Sequence, residues 1–202
     1  MTIEFTRREL LAGAAAFAFV GALGGAAQAD AVGDATTLVT ALSAELQQMV
    51  NSGQGQSGQI ATFQRIIGRY ADMGPVAASV LGQPWRSASP AQKQAFVAAF
   101  QSYFARKYGN TFSQYKNASI SVSGAKDGGK SGVLVSSVVK RPGQENIAVD
   151  WQISARSGAP KVVNLIIEGV SMLANERAEV GAMLDAQHGS LDGLIAQMSK
   201  PS

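Results

Sequence analysis

Over the first half of the chain, apolar residues recur at helical spacing. Leu38, Leu42, Leu46 and Met49, with Val39 and Val50 beside them, form a stripe that predicts a helix over 35–50. The glycine- and serine-rich stretch NSGQGQSGQ, 51–59, is a flexible break. Ile60, Phe63, Ile66, Ile67 and Tyr70 make a second amphipathic stretch. Met73, Val76, Ala77, Val80 and Leu81 make a third, with Pro75 near its start, where proline is tolerated, and Gly82 at its end. Ser89-Pro90-Ala91-Gln92 is a capping box that opens a long helix. That helix carries Phe96, Phe100, Tyr103 and Phe104 along one side and runs to about Tyr108, or as far as Tyr115.

The second half reads as sheet. Four β-rich runs, 119–124, 132–141, 146–156 and 161–168, are separated by the turn sequences KDGGK, PGQE and SGAP. In the third run Ile147, Val149, Trp151 and Ile153 alternate with Ala148, Asp150 and Gln152, giving one apolar face. The fourth run has two apolar faces: Val163, Leu165 and Ile167 on one, Val162 and Ile166 on the other, interrupted by Asn164. Glu168-Gly169 then turns the chain into a closing helix over 171–185, with Ser171 as its cap, and a last helix follows over 191–198. Helices first and strands second, without βαβ alternation, predict an α+β fold: a curved four-stranded antiparallel sheet wrapped on helices.

The N-terminus changes the domain picture. Thr6-Arg7-Arg8-Glu9-Leu10-Leu11 reads as a twin-arginine export signal, followed by a weak apolar run over 10–22. Ala27-Gln28-Ala29 fits a cleavage site, so 1–29 is expected to be a signal peptide and 30–202 a single domain. The net charge of +3 is spread along the chain without a basic stripe, which argues against nucleic-acid binding. Cysteine is absent, so the domain stands on its core without disulfides.

Candidate chemistry is sparse. With no cysteine and one histidine, Cys/His metal sites are close to excluded, and no cofactor is expected. A Ser-His-Asp site needs His188, which reads as a solvated helix-end residue before Gly189. Glu168 is the one carboxylate in an apolar context: a raised-pKa acid or, the preferred reading, an acceptor for backbone amides at the start of the next helix. Arg65 and Arg69, one helical turn apart, read as a solvated face or as a meeting point for phosphate or an acidic partner. The surplus is of apolar surface, which a close-packed core or a cavity between sheet and helices would use equally well.

Two blocks of sequence are more specific. VLGQPWRSASPAQKQAFVAAF, beginning at Val80, and Ile167-Glu168-Gly169-Val170-Ser171-Met172, followed by Asn175, Arg177 and Leu191-Asp192-Gly193-Leu194-Ile195, resemble the MlaC or toluene-tolerance auxiliary family. The resemblance spans about 35–198. It implies a twisted four-stranded sheet around a deep apolar pocket for lipid tails. It also implies a periplasmic, monomeric, non-enzymatic shuttle for phospholipid that maintains outer-membrane asymmetry. The implied partners are an outer-membrane lipoprotein complex and an inner-membrane ABC transporter with its lipid-binding ring protein. This chain departs from the pattern at Pro160, at Asn164, where Asp is common, and at Glu176, where an aromatic is common. A related branch occurs in hopanoid-producing bacteria, so another lipid such as a hopanoid is an alternative cargo.

If the pocket exists, the apolar faces above nominate its lining. From the helices these are Val76, Val80, Phe100 and Phe104; from the second strand Val135 and Val139; from the third Val149, Trp151 and Ile153; from the fourth Val163, Leu165 and Ile167. Two other classes remain open: a small α+β enzyme with Glu168 or Asp150 as base, and an adaptor that docks membrane complexes without holding lipid.

Overall fold

The computed structural model describes residues 20–200, with side chains from Asp30 onward. Arg7 and Arg8 lie outside the described residues, and Ala27-Gln28-Ala29 falls within the backbone of the first helix. The helical half consists of α1 (Val20–Asn51), α2 (Gln56–Tyr70), α3 (Met73–Leu81), α4 (Pro84–Ser87) and α5 (Pro90–Gly109), then a 3-10 turn at Phe112–Tyr115. The sheet follows as β1 (Ser119–Asp127), β2 (Val133–Lys140), β3 (Ile147–Ser154), β4 (Lys161–Ile167) and β5 (Val170–Ser171), and α6 (Met172–Ala186) and α7 (Leu191–Met198) close the chain. The fold is α+β, with an antiparallel sheet in the order β1-β2-β3-β4-β5.

The caps explain the helix boundaries. Ser89 accepts the Gln92 amide while the Gln92 side chain accepts the Ser89 amide, completing the capping box of α5. Ser171 caps α6 through the Ala174 amide, as its position after the Glu-Gly pair predicts. Asn164 joins this cap from β4: its Oδ1 accepts the Leu173 amide at 3.0 Å. The long helix stops at Gly109, where a Cβ would lie 2.5 Å from Ile60 Cγ1, so glycine lets α5 close onto α2. The 51–59 break is shorter than expected, because α2 already begins at Gln56 with a polar first turn that carries no apolar signature.

The sheet has five strands, not four. Glu168 and Gly169 both have left-handed backbones, φ +49° and +79°, and form a two-residue hairpin turn. Val170 and Ser171 therefore fold back to pair with Ile167 and Ile166 before α6 starts. The faces of β4 also differ from strict alternation. Trp151 pairs with Leu165 and Gln152 with Asn164, but Ile153 pairs with Val162, leaving Val163 as an extra residue. The bulge brings Val162 onto the same face as Leu165 and Ile167, opposite Val149, Trp151 and Ile153.

Apolar side chains gather in two clusters. One joins the inner face of the sheet to α1 and α2, with Val39, Leu42, Ile66, Val135 and Trp151 among its members. The other joins α3, α5, α6 and α7 through Val80, Phe96, Val180 and Leu194.

Candidate functional site

Between the two clusters lies an apolar cavity of about 290 Å³. The sheet supplies Val149, Trp151, Val162, Leu165 and Ile167 to its wall, and α1 and α2 supply Leu42, Leu46, Ile66 and Ile67. Opposite them stand Val76 and Val80 of α3, Phe100 and Phe104 of α5, and Met172 and Leu173 of α6.

The indole nitrogen of Trp151 is held back from the apolar surface. Trp151 Nε1 donates to Ser137 Oγ at 2.8 Å, and Ser137 Oγ donates to the Val149 carbonyl at 3.1 Å. The indole N–H is thereby satisfied within the sheet, leaving an apolar ring on the wall. Along α5, Phe96, Phe100, Phe104 and Tyr108 follow at i, i+4 spacing, with successive ring centroids 6.0, 5.9 and 4.5 Å apart. Phe96 lies in the helix cluster, while the other three reach the cavity.

Ten of the twelve residues nominated from sequence line this cavity: Val76, Val80, Phe100, Phe104, Val139, Val149, Trp151, Val163, Leu165 and Ile167. Val135 and Ile153 do not. They are 0% and 2% exposed, packed in the sheet cluster together with Val39 of α1. They share a strand face with lining residues, and packing from a distant helix, which strand periodicity does not encode, separates the two sets.

Among the lining residues not nominated from sequence, the carboxylate is Glu176, 1% exposed. Its position carries a signal in retrospect: it interrupts the apolar stripe Leu173, Val180, Leu184 of α6 at helical spacing. One carboxylate oxygen accepts from Lys107 Nζ at 2.7 Å and from the Tyr108 hydroxyl. The other is buried without a hydrogen-bond partner among the described residues. One turn on, Glu179 accepts from Lys107 and from the Tyr103 hydroxyl. Five side chains thus clasp α5 to α6 along one edge of the cavity.

The clasp shifts its own protonation equilibria. Burial, then the hydrogen bond to Glu179, pushes Tyr103 up to about 12. Burial, then the bond to Glu176, also raises Tyr108. Burial works against the Lys107 charge, but hydrogen bonds to Glu176 and Glu179 outweigh it and hold its pKa above the usual lysine value. Burial would likewise raise Glu179, yet Lys107 and Tyr103 carry it below the usual carboxylate range.

The other candidate residues lie elsewhere. Asp150 accepts from Ser136 Oγ at 2.5 Å on the sheet face opposite Val149 and Trp151. Glu168 accepts a backbone amide, but it is that of Ala148 at the start of β3, not one in the following helix, because the hairpin turns its side chain back along the sheet. His188 is exposed in a left-handed conformation at the end of α6. Arg69 pairs with Glu45 at 2.6 Å, and Arg65 donates to Thr62 Oγ1 at 2.9 Å. Among the described residues, no group of three His, Asp or Glu side chains is placed to hold a metal ion. Among them, too, no helix is long and apolar enough to cross a membrane.

A family model described as MlaC protein matches residues 37–200. Among curated proteins, the chain is similar to the intermembrane phospholipid transport system binding protein MlaC of Haemophilus influenzae, 24% identical over 160 residues, which cover 75% of this chain and 74% of that one. Among solved structures, it resembles the phospholipid-binding protein from Ralstonia solanacearum in complex with a phospholipid, with a TM-score of 0.68 at 19% identity, over 83% of this chain and 99% of that one. At that identity the second likeness is one of fold.

Proposed function

The chain belongs to the MlaC family, and on that premise we propose that it is a phospholipid carrier that shuttles lipid between two membranes. The observation that carries this reading is the apolar cavity between two separately packed clusters, with walls from sheet and helices alike. Each methylene taken from water into such a cavity is worth roughly 0.8 kcal/mol. The tails leave one oily medium for another, so exchange with a bilayer is nearly balanced and direction comes from the partners. In this reading residues 1–29 direct export by the twin-arginine route and are removed, and 30–202 act as a periplasmic monomer without catalytic activity. The partners are an outer-membrane lipoprotein complex and an inner-membrane ABC transporter with its lipid-binding ring protein, and the shuttle serves outer-membrane lipid asymmetry. The cavity-lining residues nominated above are the contacts for the tails.

The test is lipid extraction and native mass spectrometry of protein purified without detergent, followed by uptake from phospholipid vesicles. The expected result is a bound phospholipid and its replacement by vesicle lipid. Protein that never carries lipid and takes none from vesicles rules out the carrier.

A further inference from the structure

Val139 of β2 and Ile147 of β3 are paired in register, and both line the cavity at one end of the sheet. Arg141 lies two residues past Val139. It opens the turn into β3, in which the Gln144 amide donates to the Arg141 carbonyl at 3.1 Å. Its guanidinium carbon stands 5.6 Å from the ring centroid of Tyr115, itself a cavity-lining residue. The side chain is half-buried, with a buried Nε that lacks a hydrogen-bond partner.

Two other cations beside cavity-lining residues are committed. Arg69 pairs with Glu45, and Lys107 with Glu176 and Glu179. None of the ion pairs among the described residues includes Arg141. Of the acids at this end of the sheet, Glu168 is bound to the Ala148 amide, and Glu145, in the same turn, is in none of the ion pairs among the described residues. Lys116 and Lys140 flank the site in sequence and are exposed.

A guanidinium lying on an aromatic ring keeps its donor edge free, and that planar fork matches two oxygens of a phosphate. Leaving a half-buried guanidinium unpaired costs free energy that an anionic ligand recovers. We propose that Arg141, steadied by Tyr115, is the head-group site of the cavity and binds the phosphodiester of a phospholipid whose tails lie inside. The assignment rests on the carrier reading and adds to it a basis for choosing phosphorylated lipids over neutral ones.

The test compares the purified protein with R141Q and R141K. Each is incubated with vesicles containing phosphatidylglycerol and a diacylglycerol of the same acyl chains, and bound lipid is quantified by extraction and mass spectrometry. Circular dichroism and thermal melting establish that each variant is folded. The wild-type protein is expected to favour phosphatidylglycerol about tenfold, as one charge-assisted hydrogen bond implies. R141Q is expected to lose that preference while still loading diacylglycerol, and R141K to keep part of it. R141Q that retains the preference, or that loads both lipids equally less well, overturns the assignment. Calorimetric titration with inorganic phosphate separates the sources of the anion. Phosphate binding that R141Q abolishes, with lipid preference unchanged, assigns the site to a free anion and overturns the head-group role. Wild-type protein that loads neither lipid brings down the carrier reading itself.

Discussion

The two apolar clusters are built from the same kinds of residue and end differently. In the helix cluster Phe96, Val180 and Leu194 are each 0% exposed, and α3, α5, α6 and α7 close on one another. In the sheet cluster Val133 and Val135 of β2 are buried with Val39 of α1, while Ile120, Ile147, Leu165 and Ile167 stay half-buried along the cavity. Short helices can rotate and slide until their ridges interlock. A sheet cannot do this, because its register ties every side chain on one face to its neighbours. Here α5 is linked to α6 by the Glu176 and Glu179 clasp, and a cavity remains between these helices and the β3 and β4 face. The space between them is the proposed binding site.

The contrast is broken most severely by Phe96→Ala. It opens a hole in the closed cluster and is expected to cost about 3–5 kcal/mol in denaturant unfolding. Lipid load per folded molecule should stay unchanged. Next is Gly132→Ala at the dry end of the sheet. Gly132 has φ +84°, and a Cβ there would lie 2.0 Å from the Ile153 carbonyl oxygen. With ψ −157° this backbone lies in a region open essentially to glycine alone and costs an alanine roughly 1–3 kcal/mol, and the clash adds to it; thermal melting measures the total.

On the open side the effects move from stability to binding. Leu165→Trp fills cavity space rather than packed core, so unfolding should change by no more than about 1 kcal/mol. Lipid uptake from vesicles should fall severely, and unchanged uptake would place the tails elsewhere. Glu176→Leu replaces a buried carboxyl side chain with an apolar one. It is expected to cost about 1–3 kcal/mol in denaturant unfolding, since the Tyr108 hydroxyl is left without its acceptor and Lys107 with Glu179 alone. Hydrogen exchange near Tyr108 should quicken, because the hydroxyl and Lys107 lose a shared acceptor.

The smallest effect is the pH dependence of the clasp. Tyr103 is raised to about 12, so its contribution is full below the usual tyrosine value of 10 and is lost as pH climbs towards 12. The melting-temperature difference between wild type and Tyr103→Phe should therefore shrink across that window. Glu179 is lowered, so its contribution is present above the usual carboxylate value and is lost as pH falls through the folded value. The gap between wild type and Glu179→Gln should close in acid.

Much of this architecture was legible in the chain. The Ser89 capping box and the Ser171 cap are local signals, and both stand where the pattern puts them. The third strand's apolar face is a period-two signal, and Val149 and Trp151 lie on it. The fifth strand was not legible, because it depends on positive φ at Glu168, a residue type with no special preference for that region. Nor was the bulge at Val163, since a run of apolar residues reads the same with or without one. Glu176 was visible only as a departure from the family pattern and as an interruption of an apolar stripe.

The sequence by itself determined the elements and the apolar excess, because helix period, strand period and caps are set by residues within a turn or two of one another. Only the tertiary structure decided which apolar side chains meet a partner and which meet empty space. Val135 and Trp151 sit opposite each other on neighbouring strands, yet the first is sealed in the core and the second lines the cavity. The difference lies in what packs above them, and that is fixed by α1 and α5, dozens of residues away, and by the clasp that bridges α5 to α6.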